Sequence, residues 1–229
     1  MQDPFKPSHW AKLLDSPYPV HAFDAKTIAT RPTRKDVSQF VNLWMTEGIP
    51  YAFRYEPMRY ELIREWIGNY LDVQPKNISL VGSARIGFSL SPDKFGREYE
   101  PAVSDIDLFV VSQNVFYSLR ADFDQWLDDW WNGYLDEKKW GARFWDENVK
   151  VVTNTLKRGF IDTNKIPPLP QCKMSLKCAM LIRNLRQSLK LDDRIPNKCS
   201  IRVYKNWDSA LKQNIFNLET NLHKIGFLN

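Results

Sequence analysis

The chain has 229 residues and a formal charge of +5, with 43% hydrophobic and 26% charged residues. This is the composition of an ordinary globular protein and excludes wholesale disorder. Nine Gly and 14 Pro without a repeating period also exclude a collagen-like chain. No apolar run approaches the roughly 20 residues that cross a bilayer, so we predict no membrane partner.

The N-terminal sequence and the cysteines bear on the compartment. Residues 1–16 carry charged side chains and no apolar core, so we expect no secretory signal peptide. Cys172, Cys178 and Cys199 are too few and too scattered for a disulfide framework. With only three histidines in the chain, a zinc enzyme is not expected either. We therefore predict a reduced protein of the cytoplasm.

Hydrophobic periodicity predicts both helices and strands along the chain. The predicted helices cover residues 36–47, 57–71, 116–135, 175–191 and 207–225, and the predicted strands cover residues 78–81 and 106–111. Residues 1–35 hold five prolines and are predicted to form an extended arm. The clearest linker is Pro-Pro-Leu-Pro at residues 167–170. The outline is an α/β protein with a helical C-terminal part.

The charge is unevenly distributed along the chain. Residues 1–137 hold 14 basic and 20 acidic side chains, a balance of −6, whereas residues 138–229 hold 18 and 7, a balance of +11. A basic C-terminal part beside an acidic region favours a polyanionic partner. An unevenly charged solvated surface is the other explanation that the pattern allows.

Two aspartates open the second predicted strand. Asp105 and Asp107 are two residues apart, and alternate residues of an extended strand share a face. Ile106, Leu108 and Val110 would then point to the other face, into a core. Two adjacent carboxylates repel each other and resist desolvation, and a bound cation is the usual remedy. Oxygen ligands alone favour Mg²⁺ or Mn²⁺ over Zn²⁺.

A glycine-serine pair follows the first predicted strand. Gly82 and Ser83 stand between that strand and a predicted helix, where glycine lets the backbone approach a phosphate closely. The Ser83 hydroxyl adds a hydrogen-bond donor, and Arg85 and Arg97 are nearby charges that can pair with phosphate oxygens. A phosphate cradle beside paired carboxylates is typical of metal-assisted phosphoryl or nucleotidyl transfer.

Residues 81–83 (Val-Gly-Ser), a predicted helix, and residues 104–108 (Ser-Asp-Ile-Asp-Leu) together resemble the DNA polymerase beta-like nucleotidyltransferase superfamily. The resemblance covers about residues 57–136. It implies a small mixed sheet flanked by helices, an α+β fold. Together with the prolines, the linker and the charge distribution, it predicts an arm (1–35), a nucleotidyltransferase-like domain (36–166) and a helical basic C-terminal part (167–229).

The resemblance also implies roles for particular residues. Gly82 and Ser83, with Arg85 and Ser104, would bind a nucleoside triphosphate, and Asp105 and Asp107 would hold divalent ions. A third carboxylate from a later strand would help to activate the acceptor hydroxyl. Asp162 is the best candidate for it, because residues 160–161 can form a short strand after a glycine.

Several alternatives stay open at this point. Asp146 and Glu147 compete with Asp162 as the third acid, and Asp162 is otherwise explained as a turn residue. Residues 91–103 look like an insertion relative to compact bacterial members. That insertion would cover the nucleotide, shape acceptor choice, or be passive surface.

The predicted activity is transfer of a nucleoside monophosphate from a nucleoside triphosphate to a hydroxyl of RNA, such as tRNA, or of a protein. The resemblance implies a bacterial toxin–antitoxin or phage-defence module, with a possible partner protein from that module. The main alternative is a catalytically inactive member that binds a nucleotide or a partner. A third hypothesis is a nucleic-acid-binding protein in which both aspartates are incidental.

Overall fold

The computed structural model describes residue 18 and residues 32–135, 142–190 and 198–226, and they form an α+β fold. The predicted N-terminal arm therefore lies almost entirely outside the described residues. The described part contains seven α-helices: α1 Arg34–Phe40, α2 Pro57–Leu71, α3 Ser83–Ile86, α4 Gln113–Trp131, α5 Ala142–Lys157, α6 Lys173–Lys190 and α7 Trp207–Lys224. It also contains four strands: β1 Ile78–Val81, β2 Ile106–Val111, β3 Phe160–Asp162 and β4 Cys199–Tyr204.

Side-chain caps fix where several helices begin. Thr33 and Asp36 form a capping box, so α1 begins at Arg34, two residues before the predicted start. It continues as a π-helical turn, Val41–Met45. Ser112 Oγ accepts a hydrogen bond from the Val115 amide (3.3 Å) and starts α4 three residues early. The bounds predicted for α2, β1 and β2 are confirmed.

The four strands form one mixed sheet in the order β1-β2-β4-β3. β1 pairs with β2 and β3 pairs with β4 in antiparallel fashion, whereas β2 and β4 are parallel. Two elements, β4 and α5, were not predicted from the sequence. The basic C-terminal part supplies a strand between β2 and β3 as well as helices.

The two faces of the sheet differ in chemistry. One face is apolar and packs against α2, α4, α5 and α6 in the main core; its strand residues are Ile78, Leu80, Ile106, Leu108, Val110, Ile161, Ile201 and Val203. The opposite face is covered in part by α7, where Ala210 joins an aromatic cluster with Phe109 and Tyr204. Beyond that cluster the second face becomes polar, and there the candidate site lies. None of the described helices has both the length and the apolarity that a membrane crossing requires.

Candidate functional site

An open cleft of ≈ 550 Å³ lies at the polar end of the second sheet face. It is lined by β1, β2, β3 and β4 residues, by the turn after β1, by the segment between α3 and β2, and by α7. Six of the seven predicted site residues line it: Gly82, Ser83, Ser104, Asp105, Asp107 and Asp162. The tertiary structure therefore gathers residues that are up to 80 positions apart in the chain.

The turn after β1 forms one wall of the cleft. Gly82 has φ 71° and ψ −157°, a combination that is essentially restricted to glycine. A Cβ at this position would lie 3.8 Å from Asp107 Oδ2. The turn therefore runs directly past the Asp107 carboxylate, with Ser83 following at the start of α3.

The sheet register places Asp107 beside both Val81 of β1 and Ser200 of β4. Ser200 Oγ donates a hydrogen bond to Asp107 Oδ1 at 2.6 Å. Burial raises the pKa of Asp107; the Ser200 hydrogen bond opposes that rise, and the charge of Asp105 adds to it. Asp105 is exposed, immediately before β2. Ionised Asp107 is thus costly unless a positive group accompanies it.

These donors fit a hard divalent cation. Asp107 Oδ2 faces the Gly82 backbone, and Asp105 lies two residues away on the same edge of the cleft. Within the ranges that the structure describes, no group of three or more carboxylate, imidazole or thiolate ligands converges. Mg²⁺ is commonly held by one or two carboxylates, with waters and substrate phosphates completing its shell. Asp105 and Asp107 supply two carboxylates at this edge of the cleft.

Asp162 lies in the cleft but its carboxylate is already paired. Arg202 Nε donates to Asp162 Oδ1 at 2.7 Å and Arg202 Nη2 donates to Oδ2 at 3.1 Å, across the β3–β4 pair. The Arg202 guanidinium also lies over the Phe160 ring, 4.6 Å from its centroid. Burial alone would lower the pKa of Arg202, but the hydrogen bond and charge of Asp162 raise it overall. The competing acids Asp146 and Glu147 lie on α5 and do not line the cleft.

Arg85 is the predicted site residue that the structure does not bring to the cleft. Its side chain is 2% exposed. Arg85 Nε donates to the Trp44 carbonyl and Nη1 donates to the Gly48 carbonyl, both at 2.9 Å. Arg85 thereby links α3 to the π-helical turn, through Trp44, and to Gly48 after it. The residues next to Arg85 in the sequence give no sign that its side chain points inward, so the expected position in the cleft is not the one that the structure shows.

The segment between α3 and β2 brings two cations to the cleft. Ser89 N donates to the Arg97 carbonyl and Tyr99 N donates to the Gly87 carbonyl, both at 2.8 Å, so the segment folds back on itself. Lys94 and Arg97, both exposed, line the cleft. Ser104, near the end of this segment, accepts a hydrogen bond from the Glu100 amide through Oγ (3.1 Å). The predicted insertion is thus part of the cleft wall.

The cleft is also lined by residues of β4 and α7 that the sequence did not single out. Ser200 and Arg202 come from β4, and Asn214, Asn217 and Asn221 come from α7. A signal for β4 exists, since residues 199–204 alternate apolar Cys, Ile and Val with Ser, Arg and Tyr, the period of a strand with two different faces. The asparagines of α7 have no comparable signal, because polar residues on an amphipathic helix are expected on its solvated side.

Comparisons of the chain with protein-family models, with curated proteins and with solved structures give no match.

Proposed function

We propose that the protein is a metal-dependent nucleotidyltransferase that moves a nucleoside monophosphate from a nucleoside triphosphate to an acceptor hydroxyl. One observation carries the proposal. The Gly82–Ser83 turn and the aspartates Asp105 and Asp107 line one cleft, together with the cations Lys94 and Arg97. Anion-binding and cation-binding groups side by side are what a metal–triphosphate complex requires.

The triphosphate would lie between the turn and the segment that carries the two cations. The Gly82 backbone has no side chain to hold a phosphate away, and Ser83 Oγ is a donor at the same place. No ion-pair partner within the described residues engages Lys94 or Arg97 closely, so both are available to phosphate oxygens. These groups would hold and orient the substrate.

Asp105 and Asp107 would hold Mg²⁺ or Mn²⁺. When bound, such an ion neutralises phosphate charge and makes the α-phosphorus a better electrophile. In the overall reaction the acceptor oxygen bonds to the α-phosphorus, the bond to the bridging oxygen breaks, and pyrophosphate leaves. The acceptor hydroxyl gives up its proton to water. Ser200, by donating to Asp107 Oδ1, keeps the carboxylate in the orientation that leaves Oδ2 toward the turn.

The acceptor is proposed to be an RNA, such as tRNA, or a protein hydroxyl. The balance of +11 over residues 138–229 supports a polyanionic acceptor, because phosphate neutralisation dominates affinity for nucleic acid. A role in a toxin–antitoxin or phage-defence module, with a partner protein, is part of the same proposal. The free thiols of Cys172, Cys178 and Cys199 are consistent with the reducing cytoplasm.

A second function is favoured by one specific observation, the pairing of Asp162 with Arg202. Both carboxylate oxygens of Asp162 accept hydrogen bonds from the guanidinium, so the third acid that the resemblance implies is engaged. A protein in which Asp105 and Asp107 have no ion-pair partner among the described residues would still bind a metal–nucleotide complex. It would then act as a nucleotide-binding or partner-binding regulator without transfer.

Transfer of label from α-³²P nucleoside triphosphates separates the two functions. The full chain is incubated with each triphosphate, with Mg²⁺ or Mn²⁺, and with total RNA or cell lysate as the acceptor. We expect labelled RNA or protein with the wild-type chain and a loss of at least about 100-fold in Asp105→Asn and Asp107→Asn, because oriented charge of this kind typically contributes that much. Asp128→Asn, an exposed aspartate of α4 that does not line the cleft, is the matched control.

The outcomes differ clearly. Label in the acceptor that is lost in both cleft variants but kept in Asp128→Asn supports the enzyme. Nucleotide binding without transfer, in both metals and with both acceptor pools, supports the regulator. If the protein shows no nucleotide binding and no transfer, both functions are overturned. Salt-sensitive RNA binding that survives both aspartate substitutions would favour a nucleic-acid-binding protein instead.

A further inference from the structure

We propose that α7 is the wall that selects the nucleobase, through the side-chain amides of Asn214, Asn217 and Asn221. This inference rests on the proposed function, because it places the nucleoside of the same triphosphate in the same cleft. Nothing in the sequence pattern pointed to α7, which is otherwise an amphipathic packing helix.

The path of α7 brings its second half over the polar end of the sheet. Trp207 and Ala210, in its first turn, pack on Phe109, and the Trp207 and Phe109 ring centroids are 5.8 Å apart. One helical turn advances about 5.4 Å, close to the roughly 6.6 Å of two strand residues. Asn214 lies one turn after Ala210 and Asp107 lies two residues before Phe109 on β2, so Asn214 reaches the level of Asp107. Both line the cleft.

Three asparagines then follow the cleft along one side of α7. Positions 214, 217 and 221 are three and four residues apart, the spacing of a single helix face, and all three line the cleft. Asn217 Oδ1 accepts a hydrogen bond from Gln213 Nε2 at 2.7 Å. That bond orients the Asn217 amide with its NH₂ group as the remaining donor.

Asn214 is the strongest single indication of a ligand. The residue is 3% exposed, and its Nδ2 is buried with no hydrogen-bond partner among the described residues. Buried amides are almost always paired, since an unpaired one is costly. A cleft wall that retains such a group is explained if an acceptor atom of a bound molecule completes it.

Apolar residues beside the asparagines suit a planar base. Met45, Leu90 and Leu218 line the same cleft and belong to the small core that joins α7 to the π-helical turn. A base can lie on such a surface with its ring faces dry while its edge carries the polar contacts. An asparagine amide holds a donor NH₂ group and an acceptor oxygen side by side in fixed geometry, which matches a donor–acceptor pair on a base edge, as in its bidentate contact with adenine.

The inference predicts base-dependent affinity that originates in α7. Binding of ATP, GTP, CTP and UTP to the full chain, each with Mg²⁺, is measured by calorimetry, with inorganic tripolyphosphate as a probe that lacks a base. We expect the best and worst triphosphates to differ by about tenfold or more, the range that one or two hydrogen bonds provide. In Asn214→Leu, Asn217→Ala and Asn221→Ala the preferred triphosphate should lose about tenfold more affinity than tripolyphosphate does.

Controls keep this test separate from that of the proposed function. Thr220→Ala, on the same helix and not lining the cleft, should keep the wild-type preference. Asn217 and Asn221 are only partly buried, so their variants test the inference even where Asn214→Leu fails to fold. Equal binding of all four triphosphates, or equal losses for triphosphates and tripolyphosphate, would overturn the inference while label transfer could still be observed. Absence of binding to every probe would overturn the proposed function as well.

Discussion

The ion pair between Asp162 and Arg202 determines whether the cleft has a third free carboxylate, so its strength is worth measuring. The two hydrogen bonds, 2.7 and 3.1 Å long, engage both carboxylate oxygens in a bidentate arrangement. The side chains are 24% and 29% exposed, between the surface pairs that contribute up to about 1 kcal/mol and the buried pairs whose disruption costs about 3–5 kcal/mol. We expect a coupling free energy of about 2 kcal/mol.

A double-mutant cycle measures this coupling free energy between Asp162 and Arg202. Asp162→Ala, Arg202→Met and the double variant are unfolded in urea, and the coupling is the departure of the double variant from the sum of the single ones. Methionine keeps much of the arginine stem over Phe160, so loss of packing is limited. Each single variant should also lower Tm by about 4–8 °C, given the size of the chain.

The refuting result is a coupling below about 0.5 kcal/mol, the level at which distant sites already appear additive. Asp162 would then be free of Arg202 in solution and available in the cleft. A coupling near the expected value instead shows that the carboxylate is committed to the sheet. A transfer assay of Asp162→Ala complements the cycle. If Asp162 is free and acts as the third acid, its removal should abolish transfer.

Three further predictions follow from the structure. In Asp107→Asn, the free energy of unfolding should exceed the wild-type value at pH 8 but not at pH 4. The reason is that the pKa of Asp107 is raised, so wild-type stability falls as the pH rises through that pKa. Urea titrations at both pH values test this prediction, and an equal gain at both would contradict it. Arg85→Met should lower the free energy of unfolding by about 1–3 kcal/mol, since the Trp44 and Gly48 carbonyls lose their hydrogen-bond donors. Its affinity for tripolyphosphate in calorimetry should stay within about twofold of the wild-type value. A much larger loss of affinity would show that Arg85 binds phosphate in the cleft. Gly82→Ala should lower the free energy of unfolding by about 1–3 kcal/mol in the same urea titration, because alanine is strained at φ 71°, ψ −157°. It should also weaken triphosphate binding, whereas Gly96→Ala, at another positive-φ glycine with open space around it, should keep its affinity for triphosphates.

Mg²⁺ adds a second readout to the Asp107 prediction. A cation held by Asp105 and Asp107 should raise the wild-type Tm by mass action and raise that of Asp107→Asn much less. Equal stabilisation of both proteins would show that the ion binds elsewhere.

Local sequence patterns were sufficient for the elements that carry the motif. The bounds of α2, β1 and β2 agree with the prediction because each has a clear hydrophobic period and a local boundary, such as Pro57 at the first helical turn or Gly82 after the strand. The alternation in β2 also placed Asp107 on the opposite face from Ile106 and Leu108, as the structure has them. That Gly82, Ser83, Asp105 and Asp107 share a cleft was expected from the complementary chemistry of the two segments and from the resemblance, and not from these local patterns.

Other features depend on partners that are distant in sequence. Asp162 was correctly placed at the end of a short strand, but its partner Arg202 is 40 residues away, and no local rule joins them. Similarly, Arg85 is near Gly82 in sequence, yet carbonyl groups 37 and 41 residues earlier turn its side chain away from the cleft.

The amino-acid sequence by itself therefore determined the short elements, the side of β2 on which its aspartate lies, and the glycine turn beside it, because these follow from neighbours within one or two turns of backbone. The tertiary structure decided that β4 lies between β2 and β3, that Arg202 holds Asp162, and that α7 lines the cleft with asparagines. Strand order and helix placement are set by burying apolar faces against each other across the whole chain. No local sequence pattern indicates which of these faces will meet.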